Sequence, residues 1–130
     1  ESNNAEQLCT TLSATPEDCA IIVTYSGSTV RIQNEAQLLH EKGVPIILLT
    51  GLGENAVRPY ADYILDVTTR ERLYSKVGNF STNVSVQLLL DILYSCYFAA
   101  DFDKNWNTRL DIAHKIELHR SSQNEIMREQ

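Results

Sequence analysis

The chain has 130 residues, 43% of them apolar and 22% charged, which suits one globular core of ordinary composition. Seventeen acidic against eleven basic residues give a formal net charge of −6, an unfavourable balance for holding nucleic acid, which needs clustered Lys and Arg. The first twenty residues are polar and carry no secretory signal, so the reading is cytoplasmic. Cys9, Cys19 and Cys96 make no CxxC pair and are odd in number. They read as buried or incidental thiols rather than as a disulfide framework or metal site, and no cofactor is implied.

The first structured signal is Ala20-Ile21-Ile22-Val23, short, apolar and β-branched like a buried strand. It stops at Tyr25-Ser26-Gly27-Ser28-Thr29, where a helix-like pattern begins at once. Gly27 permits a tight turn and close approach of a ligand to the backbone. Ser26, Ser28 and Thr29 place hydroxyls where the first helical N–H groups have no internal partner, and where the helix end suits a phosphate or carboxylate. The simpler reading of the same residues is that Ser28 caps the helix.

The helix runs from Val30 to Lys42, with Ile32, Ala36 and Leu39 at helical spacing and Gly43 as its stop. A second strand follows at Pro45 to Leu49, then a short helix, then a third strand at Tyr63 to Val67. Strand–helix–strand alternation predicts a parallel sheet with right-handed crossovers. Ligands of such sheets bind beyond the carboxyl ends of the strands, which is where the serine turn falls.

Thr69-Arg70-Glu71-Arg72 follows the third strand at that same edge. Val84 to Ala100 is then apolar in thirteen of seventeen positions, with Gln87, Asp91 and Ser95 forming a thin polar stripe. It is short of the roughly 20 residues a membrane span needs and carries a central Asp, so it reads as a helix buried on most sides against the sheet and a partner chain. Asp91 reads as a hydrogen-bond acceptor anchoring that helix. After Asp103 a terminal amphipathic helix carries Trp106, a packing anchor, with Leu110, Ala113, Ile112 and Ile116. His40, His114 and His119 are not spaced as a metal pair, and none is positioned as a base near the serine turn. Ser121 to Gln130 is a polar tail.

The serine turn resembles the Ser-Tyr-Ser-Gly-x-Thr loop of SIS (sugar isomerase) domains, with Thr24 where Ser is usual. Three further stretches resemble the family in order: Gly43-Val44-Pro45-Ile46-Ile47-Leu48-Leu49-Thr50, Tyr60-Ala61-Asp62-Tyr63-Ile64-Leu65 and Leu90-Asp91-Ile92-Leu93-Tyr94. The last resembles the RpiR-type branch, which comprises sugar-phosphate-responsive transcription regulators. The resemblance covers residues 15 to 120. It implies an α/β fold, a flavodoxin-like three-layer α/β/α sandwich with a parallel sheet. Glu1 to Leu8 resembles the helix before the third family strand, so the chain reads as a truncated SIS domain over residues 1–120 lacking its first strands and their serine loop.

The resemblance implies a phosphorylated-sugar site at Ser26, Gly27, Ser28, Thr29 and Glu71, with Glu71 accepting sugar hydroxyls and Arg70 or Arg72 facing phosphate. It further implies an effector-sensing domain without catalysis, a homodimer or higher oligomer, and DNA contact only through a separate helix-turn-helix domain. An aldose–ketose sugar-phosphate isomerase and a degenerate dimerisation module are the alternatives.

Overall fold

The computed structural model describes residues 4–69 and 77–117. The chain divides into two compact units, Glu1–Leu89 and Leu90–Gln130. The first contains α1 (Asn4–Ser13), β1 (Ala20–Val23), α2 (Val30–Glu41), β2 (Ile46–Gly51), a 3₁₀ turn (Arg58–Tyr60) and β3 (Tyr63–Val67). Helix α3 (Phe80–Ala100) begins in the first unit and ends in the second, which also holds α4 (Phe102–Glu117).

The sheet is parallel throughout, in the order β1-β2-β3. Its register sets Ile22 beside Leu48, and Val23, Leu49 and Leu65 in one row. Side chains alternate between faces along each strand. Ile22, Ile46 and Leu48 therefore share one face and pack under Ala36 and Leu39 of α2, with Val44 and Val57 closing the cluster. On the opposite face Val23, Leu49 and Val67 line a cavity of about 360 Å³ together with Asn79, Thr82, Asn83 and Val86 at the start of α3. Helical residues thus lie at both faces of the sheet, as an α/β sandwich requires.

Local chemistry accounts for the element ends. Gly43 takes φ 72°, and its N–H bonds the His40 carbonyl while that of Val44 reaches Leu39, the αL stop that only glycine adopts cheaply. Asp62 ties the start of β3 to β2: its carboxylate accepts the Ile46 N–H at 2.8 Å and its own N–H donates to the Ile46 carbonyl at 3.0 Å. Lys42, just past the end of α2, donates to the Thr11 and Leu12 carbonyls at the end of α1, where a cation opposes the helix dipole. Glu35 is buried between Gln7, which donates to it at 2.9 Å, and Arg31 at 3.7 Å.

Several expectations are corrected. Helix α3 begins at Phe80 and spans 21 residues, four more than expected. Its length and composition therefore meet the requirement for crossing a membrane, and only the central Asp91 still argues against it. Within the single chain the helix is not buried either: Thr82 is its one buried residue, while Val84, Leu88, Ile92, Tyr94 and Tyr97 are exposed. Apolar residues fall all round this helix, and a sheet face can cover one stripe of it at most. The three cysteines are free and exposed, which removes the buried reading and keeps the incidental one. Within the second unit, Trp106 stacks on Phe102 with ring centroids 6.0 Å apart, as a packing residue does. His40 meets Tyr60 edge-on at 5.9 Å. The polar tail and His119 lie outside the described residues.

Candidate functional site

Because the strands are parallel, the segments that follow β1, β2 and β3 emerge at one edge. There Tyr25 and Ser26, the turn Gly51 to Asn55, and Val67 with Thr69 surround a cleft of about 300 Å³. Its mouth is braced across the sheet by a 2.9 Å hydrogen bond between the Tyr25 and Thr69 hydroxyls.

The serine turn is held from several sides. Gly27 takes φ 63° and is buried, a left-handed conformation that a side chain disfavours. Its N–H donates to Thr24 Oγ1 at 3.3 Å, and its carbonyl accepts from Gln33 Nε2 at 2.8 Å. The hydroxyl at position 24 therefore shapes the turn from within. Ser28 N–H donates to Ser26 Oγ at 3.3 Å, which uses an acceptor site of that hydroxyl and leaves its proton to give.

The cap differs from the simple expectation. Thr29, not Ser28, occupies the N-cap of α2, with extended backbone and no side-chain capping bond. The Ser28 hydroxyl turns back to the Ser26 carbonyl at 3.4 Å. An N-cap needs a residue one position before the helix, and the helix begins at Val30. Capping therefore does not account for the hydroxyls of this turn.

The opposite wall is the turn after β2. Thr50 is fully buried, and its hydroxyl donates to the Tyr25 carbonyl at 3.4 Å. Gly51 N–H donates to the same carbonyl at 3.0 Å. A Cβ on Gly51 would lie 2.8 Å from that oxygen, so the two turns approach as closely as glycine allows. Asn55 donates to Thr50 Oγ1 at 2.9 Å and accepts the N–H groups of Val57 and Arg58 at 3.0 and 3.3 Å. Arg58 bonds the Gly51 carbonyl and pairs with Asp66, so its guanidinium serves the wall.

Of the residues singled out from the sequence, Ser26 lines the cleft and Gly27 lies buried beside it. Ser28 and Thr29 are exposed at the start of α2 and do not line it. Arg70, Glu71 and Arg72 fall outside the described residues. Among the described lining residues the only charge is Glu54, and no cation is present. Sequence reading gave no site role to Thr50 or Asn55, whereas Tyr25 lies in the serine turn and Thr69 in the segment it placed at this edge. The signal for the first two was available: Gly51-Leu52-Gly53-Glu54-Asn55 is a glycine-bearing turn directly after a strand.

A parallel α/β domain with a hydroxyl-rich turn between strand and helix at its carboxyl edge is the class defined so far. Residues 3–95 match the SIS domain family model, and the chain belongs to the SIS domain family. An uncharacterized HTH-type transcriptional regulator of Thermotoga maritima is 24% identical over 88 residues, covering 68% of this chain and 31% of that protein. Another, from Clostridium perfringens, is 30% identical over 79 residues, covering 61% of this chain and 28% of the relative. The chain thus spans under a third of the length of these curated relatives. In structure it is similar to the Vibrio vulnificus NanR protein complexed with ManNAc-6P, with a TM-score of 0.72 at 17% identity over 89% of this chain and 44% of that one. A hypothetical protein is similar with a TM-score of 0.57 at 16% identity, over 74% of this chain and 56% of its own. At such identities the likeness shows the fold.

Proposed function

We propose that this is the effector-sensing SIS domain of an RpiR-type transcription regulator, and that it binds a phosphorylated sugar without converting it. The observation that carries the reading is the serine turn: Ser26 lines the cleft, and Thr29, the N-cap of α2, makes no side-chain capping bond. Phosphate would be held by hydroxyl and backbone N–H donors, as helix N-termini hold anions, with Arg70 or Arg72 facing it as the family resemblance implies. Ser26, Gly27, Ser28 and Thr29 form the phosphate side, and Glu71 accepts sugar hydroxyls.

The regulator context is supported by relatives named as HTH-type transcriptional regulators and by the fold shared with NanR, which was solved complexed with ManNAc-6P. DNA would be contacted by a separate helix-turn-helix domain, in keeping with the net charge of −6 here. The protein works in the cytoplasm as a homodimer or higher oligomer, with exposed apolar residues of α3 at the contact. Effector binding shifts the arrangement of paired domains by its differential affinity for two states.

The test is Ser26→Ala in the full-length protein. Loss of one hydroxyl donor to a charged oxygen costs about 1.5–3 kcal/mol, a tenfold to hundredfold weaker affinity for its sugar phosphate in a titrated panel. Affinity unchanged within twofold would sink the reading. The isomerase alternative is checked separately: hexose and pentose phosphates incubated with the protein stay unconverted. Turnover that disappears in Glu71→Gln would establish the enzyme instead.

A further inference from the structure

Asn55 is the residue on which both walls of the cleft converge. Its side-chain oxygen accepts two backbone N–H groups, from Val57 and Arg58. That settles which end of the amide is which, since the nitrogen has no lone pair to offer those donors. The nitrogen must therefore face Thr50, and it donates to Thr50 Oγ1 at 2.9 Å. Thr50, receiving that proton, spends its own on the Tyr25 carbonyl. The bonds run in one direction, from Asn55 through a fully buried hydroxyl to the peptide unit that joins Tyr25 to Ser26. A peptide is planar, so holding the Tyr25 carbonyl also holds the direction of the Ser26 N–H.

A second contact acts on the next residue. A Cβ built on Gly27 would lie 2.8 Å from Asn55 Cβ and nearer still to its amide. The Asn55 side chain thus occupies the space that only glycine leaves open, directly over the left-handed turn. Two independent observations, a directed hydrogen-bond chain to the Tyr25–Ser26 peptide and a close steric contact at Gly27, join one side chain to three consecutive residues of the turn.

We infer that Asn55 is a positioning residue for the anion-binding turn: it holds the Tyr25–Ser26 peptide through Thr50 and seats Gly27 by contact. The inference rests on the phosphosugar reading of that turn. A preorganised donor set binds an anion more tightly because the loop's ordering cost is met before the ligand arrives. Losing Asn55 should then lower affinity without removing any phosphate donor.

The experiment uses full-length protein, a panel of hexose 6-phosphates with ManNAc-6P as probes, and calorimetric titration. Asn55→Ala and Thr50→Val are each expected to weaken the best-bound member at least tenfold. Thr50→Val keeps nearly the same volume and leaves the Asn55 bonds to Val57 and Arg58 in place, so it separates the tie to the turn from the support of the 3₁₀ segment. Amide exchange at Ser26 and Ser28 should quicken in both variants relative to β2. The steric contact is read from a double-mutant cycle: Gly27→Ala binds poorly, and adding Asn55→Ala to it costs no further affinity. If Ser26→Ala weakens binding tenfold while Asn55→Ala and Thr50→Val stay within twofold, the positioning role is overturned and the phosphosugar site stands. If Ser26→Ala is itself silent, the site reading fails and this inference fails with it.

Discussion

The two faces of the three-stranded sheet are built from similarly apolar residues and are covered to different extents. On one, Ile46 and Leu48 are 0% exposed beneath Ala36, Leu39 and Val57. On the other, Leu49 and Val67 are buried, but Ile21, Val23 and Tyr63 are 51%, 48% and 66% exposed. Strand composition does not separate them. What separates them is the crossover: α2 leaves β1 and must return to enter β2 in parallel, so it covers one face by topology. Cover on the other face comes from later segments or from a partner, and parallel sheets are found with both faces covered.

The largest effect should therefore come from the closed face. Leu48→Ala removes a wholly buried side chain and is expected to cost about 2–5 kcal/mol in denaturant unfolding of the full-length protein. A loss near zero would show that this face is not the core. Asp62→Ala next tests how that core is tied at its edge. It leaves the Ile46 N–H without its acceptor, and about 1–2 kcal/mol should be lost.

Association is the third test. The exposed apolar side chains of α3 predict a dimer in sedimentation at micromolar concentration, and Leu88→Glu should raise its dissociation constant at least tenfold, about 1.4 kcal/mol. A clean monomer at that concentration breaks the idea. Ile21→Thr, on the open face, is expected to change unfolding by less than about 0.5 kcal/mol. A loss of 2 kcal/mol or more would mean that the face is covered in the assembled protein, and would sharpen the comparison considerably.

The smallest effect lies off both faces. The Thr15 N–H and then its hydroxyl donate to Asp18 and hold its carboxyl below the ordinary range. A lowered folded pKa favours the ionised native state, so the contribution is present above the unfolded value near 4 and fades as pH falls through the folded one. Asp18→Asn should be marginally less stable than the parent at pH 7 and indistinguishable from it in stronger acid, as thermal melts at both pH values would show.

Much of this arrangement can be read along the chain. β1 and β3 fall on the runs that the sequence marks, Ala20–Val23 and Tyr63–Val67, because strand signals are local and β-branched. β2 extends past Leu49 to Gly51, since Thr50 and Gly51 pair with β3 and only a neighbouring strand shows that. The stop at Gly43 was legible for the same local reason. Less was legible at the site. Ser26 was visible in its turn, whereas the N-cap went to Thr29, the residue directly before the helix start at Val30 that the sequence already marks.

The sequence by itself determined the order of elements, the parallel alternation and the place of the serine turn at the carboxyl edge, all of which depend on neighbours within a few residues. Tertiary structure alone decided what meets that turn. Tyr25 reaches Thr69 across 44 residues of chain and Thr50 reaches Tyr25 across 25, and Asn55 lies over Gly27 because two parallel strands end side by side. It also left most apolar side chains of α3 uncovered within the single chain, which no local pattern encodes. Periodicity states how much apolar surface a helix carries, and burial depends on whether another surface is there to receive it.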